Sequence, residues 1–334
     1  MTWRKPPSVS PPPATPRARL EAYLDLRASL AARESDFHCH PQCLRPGCRN
    51  PDLQVMVSLI DLLGASLHLG RPLSAIFRRG YAPGLFAGDP DDRLRRVALK
   101  LQKPCPFLEE DLCAIYPVRP LPCILFPEYL VYQDKFQESA AQEHFRDYLC
   151  LARPFSLSPA RAKIIVRLLA MWDRESLVSS LLLFGHGPCR LDFGNLLEEL
   201  GRQDGGQETA LSGLRSPQGE LPPLQDSNPD FPGNEAAAAA GGKPSGPGII
   251  SHQALERFFL ERIAPLPPFS GMREKINFLE TEEGQSAFLR LFADDRLFKK
   301  LKRGGDGRAL VFRFAQGKLQ ARRRSLLPAE YKYY

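Results

Sequence analysis

Eight cysteines stand at positions 39, 43, 48, 105, 113, 123, 150 and 189, and seven of them fall between 39 and 150. A thiolate is soft and anionic, which suits zinc and iron–sulfur clusters. The first group lies in "FHCHPQCLRPGC" and the second in "CPFLEEDLCAIYPVRPLPC". Both segments are rich in turn residues and proline. Loops of this kind present cysteines at fixed angles, where a regular strand or helix would point them apart. Two groups so far apart in sequence can fold against each other and supply one site. The candidate metal ligands are Cys39, Cys43, Cys48, Cys105, Cys113 and Cys123, joined by Cys150. Cys189 stands alone in "GHGPCRL" and reads as a small buried hydrophobe. No catalytic or organic-cofactor residue can be assigned.

The spacing argues against a common zinc finger, because the chain has no C-x-x-C pair. The clustered thiols also outnumber the four ligands of one tetrahedral zinc. That tilts the reading slightly toward an iron–sulfur cluster, with zinc or two metal sites left open. His38 and His40 flank Cys39. On an extended segment they would point away from it, so a ligand role for either needs a turn there. Arg119 is either an exposed loop residue or a cation that offsets the charge of several thiolates. Tyr116 reads as core packing and Asp61 as a helix cap.

The second cysteine segment resembles the C-[PF]-L…C-x-I-Y-x-x-R-P-x-x-C element of the YkgJ-like cysteine-cluster family, described as zinc- or iron-chelating domains. Ile115, Tyr116, Arg119, Pro120 and Cys123 occur together at that element's spacing. The resemblance spans roughly 36–150, since "VSLIDLLGASLHLG" follows the first cysteine group as the family's helix does. The first group departs from the family, whose cysteines there are closer and include an adjacent pair. Ile124 stands where the family usually has Arg, and Cys150 falls where members often carry a further cysteine. Some relatives are protein lysine methylases, so the resemblance implies a protein-modifying enzyme as an alternative function. No G-x-G-x-x-G loop supports that alternative independently.

The elements that must position these residues follow from periodicity and caps. A helix is expected over "RARLEAYLDLRASLAAR", residues 17–33, with Arg27 interrupting its apolar face and arguing against deep burial. Ser58 and Asp61 form a capping-box pattern that opens a helix ending at Gly70. "PLSAIFRR" predicts a second helix, closed by Gly80. "CPFL" and "CAIY" predict a tight hairpin around "EED". "ILFPEYLVYQDKFQ" alternates enough to include a strand. Ser158 and Pro159 open a strong helix through Trp172, and a separate helix is expected from Arg174 to Phe184. "HQALERFFLERI" is amphipathic, and "ALVFRFAQGKLQARRR" predicts a late hairpin.

The 334 residues divide by composition. Residues 1–16 read as a disordered proline-rich tail and 17–200 as a cysteine-cluster metal-binding domain. Residues 201–250 read as a flexible linker, with 21 of 50 positions Gly, Pro or Ser. Residues 251–334 read as a small basic C-terminal region. The expected fold class is α+β, mainly helical. Net charge is +7, which permits acidic partners without demanding them. Residues 296–324 carry eleven Lys or Arg against the single acid Asp306. Such a run is ordinarily a solvated face, so a nucleic-acid-binding adaptor is a further alternative and not the favoured one. The N-terminal stretch lacks the apolar core of a secretory signal. No apolar run is long enough to span a bilayer. A cytoplasmic location and an unidentified protein partner are therefore expected, and in such a compartment clustered cysteines favour metal over disulfides.

Overall fold

The computed structural model describes residues 15–35, 37, 42–51, 53–87, 94–142, 145–152, 155–185, 189–192, 194–195, 259–267, 269–304, 309–315 and 318–324. Residues 1–14 of the expected tail, Cys39 with His38 and His40, the expected linker and the start of "HQALERFFLERI" lie outside them, whereas Thr15 and Pro16, expected in the tail, cap and begin the first helix.

The fold is α+β with helix predominating. In chain order the larger elements are α1 (Pro16–Ala32), α2 (Pro46–Arg49), β1 (Val55–Val57), α3 (Leu59–Leu69), α4 (Leu73–Gly80), β2 (Tyr81–Ala87) and β3 (Leu94–Leu101). Then come β4 (Leu108–Glu109), β5 (Leu112–Cys113), α5 (Leu121–Leu125), α6 (Glu128–Tyr132), α7 (Phe136–Ala140), α8 (Pro159–Phe184) and β6 (Cys189–Asp192). The last are α9 (Met272–Phe278), α10 (Glu282–Ala293), α11 (Asp295–Gly304), β7 (Ala309–Ala315) and β8 (Lys318–Arg324).

Strand β3 is the hub of the main sheet. All of β2 lies antiparallel along one side of it, with Tyr81 opposite Leu101 and Ala87 opposite Arg95. On the other side, β1 pairs with Leu99–Leu101 and β6 pairs with Leu94–Arg96. Strand β7 joins β6 in parallel, and β8 returns antiparallel to β7. The strands expected at the C-terminus are therefore part of this sheet. The chain after residue 258 shares its core as well: Phe259, Phe269, Ile276 and Phe288 pack in one cluster with Leu20, Val57, Leu62 and Leu99.

The ends at Ser58, Gly70 and Ser158 are set as the sequence predicts, whereas α1 begins within the expected tail. Thr15 accepts from the Ala18 N–H at the start of α1, with Pro16 in the first turn. Ser58 and Asp61 close the capping box of α3, and Gly70 ends that helix at φ +60. Ser158 caps α8, and Gly185 ends it at φ +73.

Four expectations need correction. Strand structure was expected in 124–137, yet this stretch forms α5 and α6. Leu121, Ile124 and Leu125 are buried at helical spacing, and in "EYLVY" Glu128 is buried by its ion pair with Arg161 rather than by a sheet partner. The helices expected on either side of Asp173 are one continuous helix, α8, because Glu175, Ser176, Val178 and Ser179 are buried across the expected break. Arg27 is deeply buried, at 1% exposure. Tyr116 is not core: it is 58% exposed, with the Arg119 guanidinium 4.2 Å from its ring centre.

Candidate metal centre

Three loop segments carry the described candidate thiols. Cys43 sits in extended chain before Arg45, whose φ of 55 turns the backbone into α2, and α2 carries Cys48. Cys105 follows β3, and Cys113 ends β5. The turn between β4 and β5 has Glu110 and Asp111 at φ 47 and 63, the two-residue geometry that suits a tight hairpin. Cys123 lies in the first turn of α5. Cys150 lies in a 3₁₀ turn, Leu149–Leu151.

The first two cysteine groups meet. The Cys105 N–H donates to the Cys48 carbonyl at 2.7 Å, and each thiol is the leading influence on how the other ionises. Arg45 Nε donates to the Asp111 carbonyl at 3.3 Å, and Arg49 forms an ion pair with the Asp111 carboxylate, so α2 is pinned to the hairpin. Cys113 and Cys123 lie within electrostatic reach of Cys48. Cys43 and Cys150 lie likewise near Tyr148, whose ring packs on Gly47 beside Cys48. All six described candidates are partly buried, and none forms a disulfide.

The electrostatics divide the thiols. The hydrogen bond from Cys48 lowers the Cys105 pKa to about 7, helped by the Phe107 N–H and the Lys103 ammonium and opposed by burial. The same hydrogen bond, and then burial, raises Cys48. Burial raises Cys113, and it pushes Cys123 up to about 12. Lys103 favours the ionised form of all four of these thiols, while Arg119 does so for Cys113. The Lys103 ammonium also donates to the Gly47 carbonyl. Of the two readings left open for Arg119, its charge acts on Cys113, while Lys103 acts on all four of these thiols.

Among the described residues, no group of three or more His, Cys, Asp or Glu side chains is arranged to hold a metal ion. Cys189 stands apart as expected: it is buried in β6, and burial raises its pKa.

The frame under the centre is a buried ionic network. Arg27 Nη1 reaches Asp61 Oδ1 at 2.7 Å and both Glu175 oxygens at 3.3 Å. Tyr23 and Ser58 hydroxyls donate to Glu175 at 2.8 and 2.9 Å. Arg27 Nη2 donates to the carbonyls of Val118 and Arg119 at 3.0 and 3.2 Å. One guanidinium therefore ties α1, α3 and α8 to the loop between Cys113 and Cys123. Asp61 caps α3 as expected and is also a counter-ion. Burial raises the Glu175 pKa to about 7 despite the opposing pull of Arg27. A second buried pair, Arg161 with Glu128, holds the end of α1. Its Nη1 donates to the Ala31 and Arg33 carbonyls at 2.9 and 2.8 Å.

Phe107, two residues after Cys105, is fully buried against the end of α4. A Cβ on Gly80 would stand 2.7 Å from its ring. At the surface, Leu44, Leu112, Tyr116 and Leu149 are exposed next to the cysteine segments.

No helix among the described residues is long and apolar enough to cross a membrane. Compared with known proteins, the chain matches no protein-family model, no curated protein and no solved structure.

Proposed function

We propose that this is a metal-binding protein whose clustered cysteines hold an iron–sulfur cluster or zinc in a small cysteine-rich centre. The ligand set is drawn from Cys39, Cys43, Cys48, Cys105, Cys113, Cys123 and Cys150. The observation that carries the reading is the 2.7 Å backbone hydrogen bond from Cys105 to Cys48, which brings thiols from distant segments together. A simple core has no need to gather partly buried thiols from separate loops around a lysine. The Lys103 ammonium offsets the charge that thiolate ligands bring. Burial helps to hold Cys48, Cys113 and Cys123 in the protonated form, so binding through them would release protons. The likeness of "CPFLEEDLCAIYPVRPLPC" to the YkgJ-like element supports the same reading.

Iron–sulfur is favoured over zinc on thiol number alone. The role would be structural, redox or sensing. Anaerobic purification with metal and acid-labile sulfide analysis tests the proposal. A brown preparation with iron and sulfide identifies a cluster, and a colourless one with stoichiometric zinc identifies zinc. A preparation that holds neither, and takes up neither after reconstitution, overturns it.

A further inference from the structure

On another part of the molecule, α1, α8, α10 and α11 enclose an open groove of about 580 Å³. Its floor is apolar, with Leu26, Leu30, Met171, Leu289 and Phe292 among the lining residues. Leu26 is 50% exposed there, unusual for a leucine between packed helices. Helix α1 contributes residues 19, 23, 26 and 30, and α8 contributes 167, 170, 171 and 174. Both sets are single helical ridges. The α1 ridge spans about 16 Å at 1.5 Å per residue, or roughly three turns of a docked helix.

The charges around the floor are of one sign. The lining includes Arg19, Arg167 and Arg174 and no acidic side chain. Arg174 is engaged: it pairs with Asp295 at 2.5 Å and lies over the Phe292 and Phe298 rings. Arg19 and Arg167 are exposed and make no ion pair among the described residues. Helices α1 and α8 run antiparallel, since Leu30 packs with Ile164 and Ile165 while Tyr23 reaches Glu175. The two unpaired cations therefore stand toward opposite ends of the groove, about 15 Å apart along the helix axes.

We propose that this groove docks an amphipathic α-helix of a partner protein, with an apolar stripe flanked at both ends by Asp or Glu. This is the helix-in-groove mode of recognition, with the apolar floor giving affinity and the two arginines fixing register. A second copy of this chain fits poorly. Its α11, amphipathic and next to the groove, presents Arg296 and Lys299 to solvent and would meet like charge. The inference is independent of the metal centre.

The test uses the full chain and fluorescence anisotropy with two labelled helical peptides of roughly 16 residues. One carries a leucine stripe with Glu at both ends, and the other has Lys in place of each Glu. The expected result is binding of the Glu peptide about tenfold tighter than the Lys peptide. The exposed double substitution Arg19→Glu with Arg167→Glu should reverse that preference, with an unchanged circular dichroism spectrum. Leu26→Asp should weaken both peptides. Equal binding of the two peptides, or an unchanged preference in the double variant, overturns the proposal. So does a dimer in sedimentation velocity that Leu26→Asp dissociates, which would assign the groove to a second copy. Co-sedimentation with anionic vesicles, lost in the double variant and without peptide binding, overturns it in favour of a lipid surface.

Discussion

Cys48 and Cys105 are joined by a 2.7 Å backbone hydrogen bond. Between them in the chain lie β1, α3, α4, β2 and β3, so the contact is made by the fold and not by local sequence. A residue at either position answers to both the sheet and the loop.

Replacing Cys113 by Ser separates a ligand from a buried thiol. Serine is close in size, but its hydroxyl stays un-ionised at neutral pH. The variant should lose metal and melt at lower temperature, because binding energy is folding energy in such centres. Cys189→Ser is the control. It should cost about 1–3 kcal/mol for burying a hydroxyl while leaving metal content unchanged. Metal analysis beside thermal melts reads both, and full occupancy in Cys113→Ser removes that residue from the centre.

In metal-free protein the thiols should react in order. Cys105 is lowered to about 7 by its hydrogen bond from Cys48, whereas Cys123 is raised to about 12 by burial. Brief iodoacetamide treatment near pH 7.5 (about half a unit above that value) followed by peptide mass spectrometry should find Cys105 modified before Cys48, Cys113 and Cys123. Equal labelling would show that the Cys48–Cys105 hydrogen bond does not persist in solution.

Arg27→Met removes the cation that pairs with Asp61 and Glu175, both fully buried. Leaving buried charge unpaired costs about 3–5 kcal/mol. Urea denaturation should show a loss of that size. Adding Asp61→Asn and Glu175→Gln to Arg27→Met should recover part of it, since the uncompensated charges are then gone.

Glu175 gives the stability a pH dependence of definite sign. Its folded pKa, about 7, lies above the ordinary glutamate value because burial disfavours the charged form. Arg27, Asp61, Tyr23 and Ser58 are the groups that face it. Across the window between the ordinary glutamate value and 7, the folded state holds a proton that the unfolded chain has released. This contribution to stability therefore falls as pH rises through the window and is flat above it. Glu175→Gln should lack the decline. Parallel melts of both proteins from pH 5 to 7.5 (roughly two and a half units, taking in the upper part of that window) check it, and identical profiles would refute it.

Gly80→Ala is a remote probe of the centre. The added methyl would sit 2.7 Å from the Phe107 ring, and that ring is fully buried. Overpacking of this kind costs about 1–3 kcal/mol. Because Phe107 also supplies the backbone donor to Cys105, the variant should lower metal retention on dialysis against a chelator. Destabilisation with unchanged retention would separate the ring from the centre.

Much of the local frame could be read from the sequence, and the reasons are local. Ser58 with Asp61, Ser158 with Pro159, and Gly70 each set a helix end through hydrogen bonds or torsions spanning a few residues. The hairpin around Glu110 and Asp111 is likewise self-contained. What escaped is non-local. Strand β2, "YAPGLFA", carries Pro and Gly that argue against a strand, and it forms because β3 pairs along its whole length. The burial of Arg27 depends on Glu175, far along the chain. Helix α10 did carry a readable start, with Thr281 capping the Gly284 N–H ahead of an apolar run. Within the centre, the thiols were legible from their type and grouping, whereas Lys103 was not, because only the fold brings it against four of them.

The position of Glu175 bears on the order of events during synthesis. The loop between Cys113 and Cys123 is held by Arg27, and Arg27 is neutralised in part by Glu175 from the middle of α8. A ribosome delivers every candidate thiol before it delivers that glutamate. Until α8 has emerged and packed, the nascent chain carries its cysteines on a loop without its final anchor. Under the proposed metal-binding reading, loading of the centre would then be a late step of maturation, with the emerging thiols open to oxidation while translation proceeds.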